Sequence, residues 1–221
     1  MPMPREPGIG IKLLVAIGVS IFIVSALIGG ISPDSIKNAL YSSFSEKAKE
    51  IENAVRGGSL LLLPLLIFSN NLVVSLILLA LSPTIVGPWT FMAFQGFATG
   101  AIVGYQAVDE GITNLTSLIP GCTLSPDKLT LAKLVLLIPH GVFEITGVSM
   151  FFASSARLSM DILGYAMWKL GRRSERPNIS KTLGSLLMPI TIGILLLVVA
   201  AFVESFITPL IGFITIVFLC R

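Results

Sequence analysis

The sequence predicts an all-α protein, a polytopic transmembrane helix bundle with five to six membrane segments and an amphipathic interfacial helix after the first. Three observations carry this. The chain of 221 residues is 54% hydrophobic and only 12% charged, about half the charged fraction of an ordinary soluble domain. At about 20 apolar residues per crossing, the uncharged stretches account for nearly its whole length, so residues 1–221 read as a single integral membrane domain. Proline, glycine and aspartate turn signals separate those stretches. The net charge of +3 comes without the lysine-rich or arginine-rich tract that would follow a phosphate backbone. No nucleic-acid partner is expected; the lipid bilayer is the medium.

The first span is expected at residues 9–31. Arg5 and Lys12 precede or open it, as in a secretory signal peptide, but the run is longer than a signal core and reads as a retained span. Ser32-Pro33-Asp34 then starts a helix, with Ser32 as cap, Pro33 at the first helical position and Asp34 against the dipole. Ile36, Leu40, Phe44, Ala48, Ile51 and Val55 recur three or four residues apart, while Lys37, Glu46, Lys47, Lys49, Glu50 and Glu52 fall elsewhere. That pattern predicts an amphipathic helix, on the membrane surface or covering other helices, ended by Gly57-Gly58.

A second span, 59–81, holds Asn70-Asn71 near its middle, and the turn from Ser82-Pro83 to Gly87-Pro88 leads into a third, 89–107. Gly96, Gly100 and Gly104 recur every fourth residue on that span, giving a helix-packing face bare of side chains. The face suits a helix of this chain or of a second copy, so a homo-oligomer is allowed. Residues 109–130 read as a polar loop with Pro120-Gly121 and with Asn114-Leu115-Thr116, a glycosylation acceptor by pattern alone. Ser125-Pro126-Asp127 is a second helix start. The fourth span, 131–156, is expected to kink or break at Pro139, because proline removes a backbone donor and clashes with the preceding turn. The basic segment 157–181 follows, then a fifth span at 183–203 and a possible short sixth segment at 206–220 that contains Pro209.

Orientation follows from lysine and arginine near the span ends. Arg5 and Lys12 fall, by parity, on the same side as Arg157, Lys169, Arg172, Arg173, Arg176 and Lys181. The N-terminus and the 157–181 loop are therefore expected in the cytoplasm of a multi-pass cell-membrane protein.

Ionisable groups in hydrocarbon cost on the order of 3 kcal/mol each on insertion scales and need partners or a reason. His140, Glu144 and Glu204 stand out. His140 and Glu144 are four apart and share a helix face; counting ~1.5 Å per residue back from Arg157 puts Glu144 near mid-membrane. Asn70 or Asn71 falls at a similar depth, and Glu204 lies toward the outer boundary. Three readings stay open for this candidate intramembrane site: polar glue between helices, a proton or ion relay in a channel or transporter, or a metal site, since these donors suit zinc. No metal, cofactor or catalytic residue is assigned from this. The single histidine and the absence of a His-Glu-x-x-His signature argue against an intramembrane metal-dependent hydrolase. Cys122 and Cys220 sit in unlike settings and form no metal-type spacing.

At these same residues the chain resembles the stage II sporulation protein M family of multi-pass membrane proteins. The resemblance rests on Ile67-Phe68-Ser69-Asn70-Asn71, on Ile138-Pro139-His140-Gly141-Val142-Phe143-Glu144, and on the run from Ala200 through Glu204 to Pro209. It implies a non-enzymatic scaffold or membrane-organising role, with other membrane or extracytoplasmic proteins as partners. Carried over residue by residue, the family's functional positions land on Asn70 or Asn71, His140, Glu144 and Glu204.

Overall fold

The computed structural model describes residues 10–56, 62–106, 110–117, 119 and 121–220. Arg5, Gly57, Gly58, Asp109, Pro120 and Arg221 lie outside the described residues. Every regular element among those described is helical: α1 (Ile11–Gly30), α2 (Asp34–Arg56), α3 (Leu62–Ala80), α4 (Gly87–Val103), α5 (Glu110–Ser117), α6 (Pro126–Lys169), α7 (Ile179–Phe202) and α8 (Thr208–Leu219). A short 3-10 turn, Ser82–Thr84, joins α3 to α4, and a π-helical turn, Val203–Ile207, joins α7 to α8.

Four helical stretches are long and apolar enough to cross a membrane: Ile11–Gly30, Leu62–Thr84, Pro126–Lys169 and Ile179–Leu219. These four carry the first, second, fourth and fifth expected segments, and the expected count of five to six turns on the other two. The helix in the third expected span, α4, has 17 residues. The possible sixth segment is no separate crossing: Phe202, Val203, Ile207 and Thr208 all keep right-handed helical backbone angles, so α8 continues in the direction of α7. Pro139 does not interrupt α6, which runs as one helix of 44 residues with the proline inside it.

Both Ser-Pro-Asp sequences do begin helices, α2 and α6, but without the expected serine caps. The Ser32 hydroxyl donates back to the Gly29 carbonyl at 2.7 Å, and Ser125 makes no side-chain cap bond. Proline at the first turn supplies the start by itself, because its fixed φ suits a helix and its missing N–H is one the helix could not use. Within 109–130, α5 replaces part of the expected loop and carries the Asn114-Leu115-Thr116 triplet.

The helices interlock through backbone contact and one apolar core. A Cβ at Gly96, Gly100 or Gly104 would meet the carbonyl oxygen of Phe22, Ala26 or Gly30 respectively, so α4 lies parallel to α1 with the two backbones touching. With lipid as apolar as leucine, such close packing is what holds membrane helices together. Gly18 faces Phe152 and Ser149, which packs α6 directly against α1. Gly147 and Gly193 mark the crossing of α6 and α7, with Phe151 filling the space beside Gly193. Leu14, Leu78, Met92, Phe151, Phe152 and Leu197 form the core, and Trp89 meets Phe152 edge-on at 5.0 Å between ring centroids.

Polar groups at one end of the core are satisfied across helices. The Ser82 and Ser155 hydroxyls lie 2.9 Å apart, and the Ser159 hydroxyl donates to the Ser82 carbonyl at 2.6 Å. These bonds pin the α3–α4 turn to α6. At the opposite end Cys122 and Cys220 form a disulfide, Lys128 Nζ donates to the Leu219 carbonyl at 2.6 Å, and Ile112, Leu129, Ala132, Ile216 and Leu219 bury a second apolar cluster.

Candidate functional site

The site is built where α6 meets the π turn. Along α6, Glu144 stands about 17 Å from Lys133 and about 20 Å from Arg157 at ~1.5 Å per residue, near the middle of the stretch between those two charges. His140 lies one helical turn away on the same face. The antiparallel run of α7 brings Glu204 to the same level. One ligating atom each from His140, Glu144 and Glu204 lies within 4.8 Å of the others.

The π turn explains how Glu204 reaches this position. Pro209 has no N–H to give to the Ser205 carbonyl four residues earlier, and its ring crowds that carbonyl. The helix responds by widening: the Thr208 N–H bonds the Val203 carbonyl, five residues back. Such bulges re-aim the side chains they carry and recur at functional sites. The same region presents the Thr208 hydroxyl 3.2 Å from His140 Nδ1.

His140 is buried, and Glu144 and Glu204 are half-buried. Ile138 and Val142 on α6, and Phe202 and Phe206 beside Glu204, expose apolar side chains around them, which is the surface a helix pair presents to acyl chains. Neither carboxylate is ion-paired to a lysine or arginine among the described residues, whose salt bridges, Asp34–Lys37 and Arg157–Asp161, lie elsewhere. His140, Glu144 and Glu204 together offer one imidazole and two carboxylates, a donor set suited to a divalent metal ion or to a shared proton.

Asn71 is buried on α3, and Asn70 Nδ2 donates to Asn71 Oδ1 at 3.4 Å. Both asparagines lie on α3, which packs against α6, α7 and the π turn that carry His140, Glu144 and Glu204. Gly96, Gly100 and Gly104 lie elsewhere, on the α1–α4 contact. Two features went unread in the sequence. Thr208 precedes Pro209, a signal for a helix disturbance whose consequence for His140 needed the fold. Cys122 and Cys220, far apart and in unlike settings, pair because α8 returns beside the start of α6, with their Cα atoms 5.2 Å apart.

The family described as Stage II sporulation protein M matches residues 13–209. The chain is 32% identical over 145 residues to an uncharacterized protein of Methanocaldococcus jannaschii, across 65% of this chain and 69% of that protein. No solved structure matches the chain. With the family match covering nearly its whole length, and four helices apolar and long enough to cross a bilayer, this chain is a membrane protein and belongs to the stage II sporulation protein M family.

Proposed function

We infer that the protein is a non-enzymatic membrane organiser, a scaffold that gathers other membrane or extracytoplasmic proteins on one side of the bilayer. The observation that carries this reading is α2. The helix is 23 residues long, about 34 Å. Its first two turns are tied to the bundle: Tyr105 donates its hydroxyl to Asn38 Oδ1 at 3.0 Å, the Tyr41 and Tyr105 rings lie 5.0 Å apart, and Lys133 Nζ sits 5.3 Å from the Tyr41 ring. Beyond them Ser42, Ser43, Phe44, Glu46 and Lys49 are exposed. A helix this polar, with a large aromatic side chain left uncovered, is a surface for another protein.

Orientation is part of the same reading. Lys12, Arg157, Lys169, Arg172, Arg173, Arg176 and Lys181 gather at one end of the bundle, the end that belongs in the cytoplasm. The Cys122–Cys220 disulfide lies at the other end, which suits an oxidising exterior. α4, parallel to α1 at the same depth, then makes a fifth crossing.

A photoreactive residue at position 43, placed in the full chain in native membranes, should capture a reproducible partner, and Phe44→Glu in the same chain should abolish the capture. Ser43→Cys should label with an impermeant maleimide in intact cells, and Ser174→Cys only after permeabilisation. Failure to recover any reproducible partner removes the scaffold reading; reversed labelling inverts the orientation. The convergence of His140, Glu144 and Glu204 favours a second reading, a cation or proton path. That reading fails if liposome flux equals that of the His140→Ala, Glu144→Gln double variant.

A further inference from the structure

The geometry points to a metal site: His140, Glu144 and Glu204 together bind one divalent transition-metal ion of the zinc class inside the membrane, and Thr208 positions the imidazole. The inference stands apart from the scaffold role. Three observations lead to it.

The first is convergence. Ligating atoms from two helices, 60 residues apart in sequence between Glu144 and Glu204, lie within 4.8 Å of one another. Tetrahedral zinc with bonds of 2.0–2.1 Å separates its donors by about 3.3 Å, so side-chain rotations of roughly 1 Å close the site without moving a helix. The second is charge. With a neutral imidazole the three groups carry two negative charges, and among the described residues no lysine or arginine pairs with either carboxylate. A divalent cation cancels both charges at a depth where uncompensated ones are costly.

The third is the histidine. Metal-bound histidine characteristically gives its other ring nitrogen to a hydrogen-bond partner, which sets the tautomer and the ring orientation. His140 Nδ1 lies 3.2 Å from the Thr208 hydroxyl, leaving Nε2 as the free nitrogen. Pro209 and the π turn place Thr208 and Glu204 on one side of the same helix, so one local distortion supplies both a ligand and the group that orients another. With three protein ligands, a fourth position stays open for water or an incoming donor.

The full-length protein, purified in detergent, is incubated with zinc sulfate, desalted and analysed for elemental zinc. The wild type should retain close to one zinc per chain; Glu144→Gln and Glu204→Gln should each retain less than a tenth of that. Thr208→Val, which keeps all three ligands, should weaken zinc affinity by 10- to 100-fold, the cost typical of losing an outer partner. Helicity and elution volume check that each variant folds; if the glutamine variants do not, the Thr208→Val titration decides. Cobalt in place of zinc should give the visible absorption of a tetrahedral ion in the wild type and not in the two glutamine variants. A wild type that retains no zinc overturns the proposal in favour of a shared proton. Equal zinc in wild type and Glu144→Gln, or an affinity unchanged in Thr208→Val, overturns it as well.

Discussion

The α1–α4 contact gives the sharpest test of the packing. At Gly100 a Cβ would fall against the Ala26 carbonyl and 2.7 Å from Ala26 Cα, where ordinary contact begins at 3.4 Å. Backbone cannot rotate out of the way, so Gly100→Ala forces the two helices apart by roughly 1 Å. A gap of that size forfeits a quarter to a half of the dispersion energy across a contact. Lipid contributes no hydrophobic force to close it again. Overpacking of this kind costs about 1–3 kcal/mol, which in a chain of this size lowers the unfolding temperature by about 2–4 °C per kcal/mol. Gly184 on α7 is the control: a Cβ there meets nothing within 4 Å, and replacing an exposed helical glycine by alanine is worth about 0.5–1 kcal/mol in the opposite direction. Thermal unfolding of the two variants in one detergent, followed by circular dichroism, should therefore move them apart, Gly100→Ala downward and Gly184→Ala level or upward. If Gly100→Ala melts with the wild type, α1 and α4 are not in backbone contact and the packing argument is wrong.

The disulfide and the buried serines give two further expectations. Cys122 and Cys220 are separated by 98 residues, and a bridge closing a loop of that length contributes about 4–5 kcal/mol in the chain-entropy view. Reduction should lower the unfolding temperature by on the order of 10 °C; denatured, unreduced protein that takes up two maleimides per chain would show that the bridge does not form. Ser149 and Ser155 are both fully buried on α6, but the Ser155 hydroxyl bonds across to Leu78 and Ser82 whereas the Ser149 hydroxyl has no partner among the described residues. Ser155→Ala should cost about 1 kcal/mol, and Ser149→Ala should be neutral or stabilising, since it removes an unsatisfied polar atom. The same melting assay separates them, and a Ser149→Ala loss equal to that of Ser155→Ala contradicts the assignment.

Particular elements show where legibility ended. The amphipathic helix starting at Asp34 was readable because its apolar residues repeat at the helical period. The break at Pro139 was not realised, because in a membrane a helix with one carbonyl freed by proline is still better satisfied than exposed irregular backbone. Pro209 carries the same chemistry, yet there the helix widened, and nothing local distinguishes the two prolines. The short sixth segment failed for a related reason. A run of apolar residues does not say whether the chain turns back, and the helical angles through Phe202–Thr208 carry it straight on.

By itself the sequence determined the class: 54% apolar residues and 12% charged leave a helical membrane protein as the satisfied state, because every backbone group in hydrocarbon must bond within its own segment. It also singled out His140, Glu144 and Glu204 as costly in hydrocarbon. Only the tertiary structure decided which groups meet. That Ala26 lies on Gly100, that Cys220 reaches Cys122, and that a π turn carries Glu204 and Thr208 to His140 all depend on how helices far apart in sequence dock. Docking is set by side-chain shape summed over whole helix faces, which no local periodicity records.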